Sequence, residues 1–199
     1  MEALKSQDLT KVRPESLRAV LGPFKPAAES LPPYSSALEA DTVFQIVEVR
    51  DTTKSNIAYI ERLVELIDAN EGFYDRQNRS KPTRQKVIRS ADVNGDAHEH
   101  LPPPVYSSMY RLTLQDAHGN LCYAYEIEPL PFLRATADLY PIKLGSKLLV
   151  YKGTTVMLNA TLHLGANTCR FLGGELPHMN YKLYQRELEK FKHQIDYIA

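Results

Sequence analysis

The sequence predicts a mainly β domain, built as a small barrel, with one long insertion and helical ends. Three observations carry this reading. Short runs rich in β-branched and aromatic residues recur from Thr42 onward, and two of them alternate apolar and polar residues on either side of "AHGN". A helical period of apolar residues follows the first run directly. Between that helix and the second run lies "FYDRQNRSKPTRQKVIRSADVNGDAHEHLPPPVYSS", Phe73 to Ser108, with almost no apolar periodicity.

The bulk numbers set limits first. A chain of 199 residues suggests one domain with appendages, and 43% apolar residues suffice for a core. Charge is balanced, 24 basic residues against 24 acidic, so nothing global argues for nucleic acid and any such argument must be local. Cys122 and Cys169 form no spacing motif and fall in strand-like segments, so they read as reduced core thiols in a reducing compartment. No apolar run approaches about 18 residues and no leader opens the chain, so the expectation is a soluble intracellular protein without a membrane partner.

The elements follow in order. Residues 1–41 read as a helical arm and linker. "RPESLRAVLG" supplies one short helix with Pro14 near its start and Gly22 as its stop, and Pro23, Pro26, Pro32 and Pro33 then break the chain. "TVFQIVEVRD", Thr42 to Asp51, is a strand. In "TTKSNIAYIERLVELIDAN", Thr52, Thr53 or Ser55 is placed to cap a helix whose apolar stripe is Ile57, Ile60, Leu63, Val64 and Ile67, ending near Asn70-Glu71-Gly72. "MYRLTLQD" and "LCYAYEIE" alternate around the turn at Gly119-Asn120 and make a β-hairpin. A proline-bounded connector, "PLPFLRATADLYPIKLGS", leads to "KLLVYKG", "TVMLNATLHL" and "TCRFLGG", three or four more short strands. Residues 177–199 form an amphipathic helix with Leu183 or Tyr184, Leu188, Phe191, Ile195 and Ile198 on its apolar stripe. A strand, a hairpin, a connector and two closing strands describe a five-stranded barrel over 42–176, the order of an oligonucleotide/oligosaccharide-binding fold (OB-fold). The insertion, 73–108, then falls between barrel strands one and two.

Enzyme signatures are missing: there is no phosphate-cradling glycine loop and no Cys-x-x-Cys, and the carboxylates are scattered. No cofactor is implied. "HEH", His98 to His100, reads as a solvated loop rather than a metal site, and "LGG", Leu172 to Gly174, as a strand exit. The basic block is the stronger signal. Arg76, Arg79, Lys81, Arg84, Lys86 and Arg89 are opposed only by Asp75, and such a run neutralises phosphates, stays solvated, or folds against a protein partner. Tyr110, Tyr123, Tyr125 and Tyr151 are base-stacking candidates by type. Alternation with Leu112, Leu114, Leu121 and Ile127 turns at least some of them to the core.

The ordered set "VFQIVEVRDTTKSNIAYIERL", insertion, "MYRLTLQDAHGNLCYAYEIEPLPFL", "KLGSKLLVYKG" and "FLGGEL" resembles the RecQ-mediated genome instability protein 1 family, the OB-fold subunit of the topoisomerase III complex. The matching steps are Ala58-Tyr59; Leu112, Leu114, Asp116 and Gly119; Glu126, Pro129, Pro131 and Leu133; Gly145, Lys147, Leu149 and Tyr151; and Leu172 to Gly174. The resemblance implies a compact, fungal-type member without the second OB-fold of larger relatives. It implies a non-catalytic nuclear subunit that docks on topoisomerase III and acts with a RecQ-family helicase in double Holliday junction dissolution and decatenation. Partner contact would fall to Pro129, Pro131, Lys147, Leu149 and Tyr151. The insertion, with Phe73 and the six basic residues, would reach the topoisomerase gate, its basic half meeting acidic protein surface or, weakly and through the complex, DNA. The alternative is an independent single-stranded DNA-binding OB-fold module.

Overall fold

The structure, a computed structural model, describes residues 2–12, 35–78, 108–136, 138–157 and 160–195. Among these, eight strands form one sheet: β1 Ser35–Ala37, β2 Thr42–Asp51, β3 Tyr110–Gln115, β4 Leu121–Glu126, β5 Lys147–Val150, β6 Thr155–Met157, β7 Thr161–Leu164 and β8 Cys169–Gly173. Their order is β1-β6-β7-β4-β3-β2-β5-β8. All neighbours are antiparallel except β4 and β7, which run parallel. The helices are α1 Glu2–Lys5, α2 Asn56–Asn78, α3 Pro177–Asn180 and α4 Leu183–Gln194, with short 3-10 turns at Leu9–Lys11 and Pro131–Leu133.

The order itself requires a curled sheet. β5 and β6 stand five places apart, which in a flat sheet is about 24 Å. Only Tyr151 to Thr154 join them, and so short a link reaches about 19 Å at most. The two flanks of the sheet therefore bend toward each other. Gly153, at φ 86°, makes the turn, and Gly153 N–H donates to Leu38 O at 2.9 Å. The five strands expected become eight because turns such as this one cut the C-terminal runs into segments, and because β1 adds an edge strand that the proline-rich arm concealed.

The chain forms two compact units, Met1–Lys54 with Ser108–Leu183, and Ser55–Ser107 with Tyr184–Ala199. The first holds the sheet. Its core is built from Phe44, Ile46, Val49, Leu112, Leu114, Leu148, Val150, Leu162 and their neighbours, with Leu130, Leu133 and Leu144 contributed by the connector. Residues 2–12 pack on a smaller cluster in which Leu4 and Leu9 meet Val43, with Val12, Leu149 and Leu172 beside them.

The hairpin forms where expected, and among its tyrosines Tyr110 is the one that turns to the core. Tyr110, Leu112 and Leu114 point inward. The register pairs Leu112 with Ala124 and Leu114 with Cys122. Directly opposed residues share a face, so the small residues of β4 are the ones that face the core. Leu121 and Tyr123 are exposed and Tyr125 is half-buried, so Tyr123 and Tyr125 are not core tyrosines. Asp116 builds the turn, its Oδ1 accepting from His118 N at 2.9 Å and Asn120 N at 2.8 Å, with Gly119 at φ 87°.

In the second unit Ser55 caps α2, its hydroxyl accepting from Ala58 N at 3.1 Å. Tyr59, Ile60 and Leu63 are buried, whereas Ile57 and Val64 of the expected stripe are exposed. Tyr59 stacks on Phe191 of α4 with ring centroids 4.8 Å apart. α2 does not stop near Gly72 but runs to Asn78. A helical glycine costs only about 1 kcal/mol, and the residues after it are compatible with a helix. The C-terminal helix is interrupted, with Lys182 at φ 47° separating α3 from α4. The predicted helix of "RPESLRAVLG" and Ile198 lie outside the described residues.

Both cysteines are buried and free. Burial raises the Cys122 thiol to about 12, helped by the Asp116 carboxylate, and the Cys169 thiol to about 11. Neither should react with a disulfide reagent such as DTNB at pH 8 in the native protein, and both should react within minutes in denaturant. Fast titration of either thiol without denaturant would show that the sheet's core opens there.

Candidate functional site

The residues singled out by sequence fall in three places. Strand β5 carries Lys147, Leu149 and Tyr151 follows it; the connector carries Pro129 and Pro131; the insertion carries the rest. The structure brings Lys147 and Leu149 together beneath residues 2–12 and leaves Pro129 and Pro131 exposed on a separate segment. Tyr151 is half-buried, and its backbone N–H donates to Thr168 O at 2.9 Å. Phe73 and Arg76 lie on α2 rather than in a loop. Arg79, Lys81, Arg84, Lys86, Arg89 and His98 to His100 lie outside the described residues.

Lys147 corrects the expectation of a surface contact. It is fully buried. Its ammonium donates to Gln45 Oε1 at 3.0 Å and to Gly145 O at 2.5 Å. Gln45 Oε1 also accepts from Leu9 N at 3.1 Å, so the lysine and the arm share one acceptor. Both of its acceptors are neutral oxygens. Burial accordingly pulls its pKa down to about 8, against the opposing pull of Asp8. An ammonium enclosed in this way organises the arm and is not presented to a partner.

The excursion from β2 to β3, residues 52–109, which contains α2 and the insertion, begins and ends at two buried carboxylates. At its start, Asp51 Oδ1 accepts from Thr53 N at 3.0 Å and Thr53 Oγ1 at 2.6 Å, and Lys54 Nζ lies 2.9 Å from Oδ2. Burial pushes the Asp51 carboxyl up, but hydrogen bonds from Thr53, Lys54 and Ser108 outweigh it and hold the pKa below the usual value. At its return, Glu126 takes the inward position on β4 and accepts from Tyr110 N at 3.2 Å and Leu130 N at 2.6 Å. Arg134 pairs with both Glu126 oxygens and reaches Ser108 O at 3.0 Å. Thr52 N–H and hydroxyl both donate to Met109 O at 2.8 Å. The entering and leaving chains are therefore tied to each other and to the sheet. Sequence reasoning missed this clamp, although a glutamate in phase with Cys122 and Ala124 was its visible signal: a carboxylate in a core register requires donors.

The outer face of the hairpin is a third feature. Glu48 Oε2 accepts from Thr113 Oγ1 at 2.8 Å and lies 3.5 Å from Arg111 Nη2. The Arg111 guanidinium lies over the Tyr123 ring, 4.6 Å from its centroid. Among the described residues no group of three or more His, Cys, Asp or Glu side chains is placed to hold a metal ion, and no helix is long and apolar enough to cross a membrane.

A family model described as RMI1, N-terminal OB-fold domain, matches residues 24–187. The chain belongs to the RMI1 family. The matched span begins in the arm, includes the whole insertion and ends in α4, so the insertion lies inside the RMI1 OB-fold domain. No curated protein matches the chain as a relative.

Two measurements test the site. Glu126→Ala leaves a half-buried guanidinium and two backbone N–H groups without their acceptor, and should cost about 3 kcal/mol in urea unfolding. A loss under 1 kcal/mol would show that the clamp is dispensable. For Lys147, the unfolded chain binds more protons than the native one between about pH 8 and 10.5, so this group makes stability rise with pH across that window. Lys147→Met abolishes the effect. The unfolding free energy of the variant minus that of the wild type should therefore fall from pH 7.5 to pH 10, and a flat difference would mean that the lysine titrates normally.

Proposed function

We propose that this RMI1-family protein is a non-catalytic accessory subunit of a topoisomerase III complex. Its insertion biases the opening and closing of the DNA gate, and the complex, with a RecQ-family helicase, dissolves double Holliday junctions and decatenates DNA in the nucleus. The observation that carries this reading is the clamp within the RMI1 domain: the sheet ties together the departure and the return of the segment, 52–109, that carries the basic insertion. A regulatory segment must bind one gate state better than the other, because a ligand with equal affinity for both shifts nothing. Rigid ends let its contacts act on the gate instead of being lost to chain motion. Docking itself falls to the exposed Pro129 and Pro131 and to Tyr151, while Lys147 and Leu149 act indirectly by seating residues 2–12 on the sheet. DNA contact through the complex is weak and uses the basic block, Arg76, Arg79, Lys81, Arg84, Lys86 and Arg89.

Deleting Arg76 to Arg89 should leave co-elution with a type IA topoisomerase intact and reduce decatenation at least about tenfold, the effect of roughly 1.4 kcal/mol at the gate. Loss of co-elution in this variant would assign docking to the insertion and overturn the division of labour.

A further inference from the structure

We propose that Thr53 is a phosphorylation site, and that its phosphoryl group opens the departing half of the clamp while leaving the returning half closed. This goes beyond the accessory role above and does not depend on it. Thr52, Thr53, Lys54 and Ser55 form the turn between β2 and α2, and all four are exposed. Thr53 is the member whose hydroxyl donates to a buried carboxylate, reaching Asp51 Oδ1 at 2.6 Å. Thr52 donates instead to the Met109 carbonyl, and the Ser55 hydroxyl accepts from Ala58 N. Thr53 and Ser16 are the hydroxyl residues of the chain with an arginine three positions before them, the spacing read by arginine-directed protein kinases. Ser16 lies outside the described residues, whereas Thr53 stands at the clamp.

In the transfer, Thr53 Oγ1 attacks the γ-phosphorus of ATP and the bond to the β–γ bridging oxygen breaks. ADP leaves, and the hydroxyl proton passes to the kinase's base. Asp51 thereby loses a donor, and a group carrying about −1.5 to −2 charges takes its place beside the carboxylate. Burial pushes the Asp51 carboxyl up, and the Thr53 hydroxyl is the largest of the influences that hold it below its usual pKa. Asp51 is only 1% exposed, so little water screens the new repulsion, and its pairing with Tyr110 in the ladder fixes its backbone. The Lys54 side chain is 43% exposed and has room to turn from Asp51 Oδ2 to the phosphate. The turn must then move outward and draw Thr52 away from Met109 O. Glu126 is held by Tyr110 N, Leu130 N and Arg134, none of them in that turn, so the return stays tied.

The test is treatment of the full chain with calmodulin-dependent protein kinase II, which reads arginine at that spacing, and Mg-ATP. Phosphate is mapped by mass spectrometry, a synthetic peptide of residues 47–58 is the substrate control, and hydrogen exchange is measured on the modified protein. Phosphate should appear on Thr53 of the native chain. Exchange of the Thr52, Thr53 and Lys54 amides should then quicken at least about tenfold, while that of Tyr110, whose amide donates to Glu126, stays unchanged. Thr53→Val removes the hydroxyl without adding charge and should quicken exchange less than the phosphate does. Thr53→Ser keeps both the donor and the phosphoacceptor and should behave as the wild type in both measurements. Modification of the peptide but not of the native chain would show that the turn is closed to a kinase and would overturn the proposal. So would phosphate on Thr52 or Ser55 in place of Thr53, or on neither peptide nor protein. Phosphorylated protein that exchanges no faster than Thr53→Val would overturn it too, since charge would then play no part. Co-elution with a type IA topoisomerase reads the accessory role separately, so the two readings fail independently.

Discussion

The pairing of Asp51 with Tyr110 in the β2–β3 ladder is the constraint on which the rest depends. The chain leaves the sheet at one of these residues and returns at the other, so everything between is a closed excursion. The entropy of closing such an excursion grows only by about 0.6 kcal/mol per doubling of its length. Length is therefore thermodynamically inexpensive once the ends are fixed, and fixing them is the demanding step. Two buried carboxylates do this. Asp51 binds the departing turn and Glu126, with Arg134, binds the returning strand. Their cost of burial is offset because Glu126 meets two backbone N–H groups and the Arg134 guanidinium, and Asp51 meets Thr53 and the Lys54 ammonium.

The same ladder sets what the protein shows to its surroundings. Once β2 fixes the phase of β3, Tyr110, Leu112 and Leu114 must face inward, and the hairpin register then fixes β4. A strand has a period of two, so β4 has only two choices, and the one taken places Glu126 where Tyr110 N and Arg134 reach it. The opposite phase would bury Tyr123 and Tyr125 and would expel the carboxylate that holds the end of the insertion. The clamp and the exposed aromatic face are thus two consequences of one register.

Much of this was legible in the sequence. The hairpin, the first strand and the helix after Ser55 follow from alternation, β-branched content and a capping hydroxyl, and these are local signals. The phase of β4 was not, because "LCYAYEIE" offers two plausible inner faces, and apolar size favours the wrong one when a small-residue register opposite Leu112 and Leu114 decides it. Lys147 could be placed on a strand but not beneath an arm, since burial of a lysine by residues more than a hundred positions away leaves no local trace. The end of α2 was hidden by Gly72, whose helical cost is too small to stop a helix. The family resemblance, by contrast, rested on the order of weak motifs, and the family model matches residues 24–187, the span that holds them.

Lys147 shows how an internal charge can set specificity without meeting a partner. A lysine with only neutral acceptors gains little stability from its charge, and burial costs it part of its ordinary affinity for a proton. It does, however, require oxygens at fixed positions. Gln45 and Gly145 supply them, and Gln45 in turn requires the N–H of Leu9. Any other seating of residues 2–12 would remove that donor and expose Leu4 and Leu9, which are now buried with Val43. The arm is thereby held in one register on the sheet, and the surface built around β5 and Tyr151 keeps one shape. A methionine there would fill the same space and impose no such condition, which is why a buried charge can be retained at a site where an apolar residue would serve stability as well.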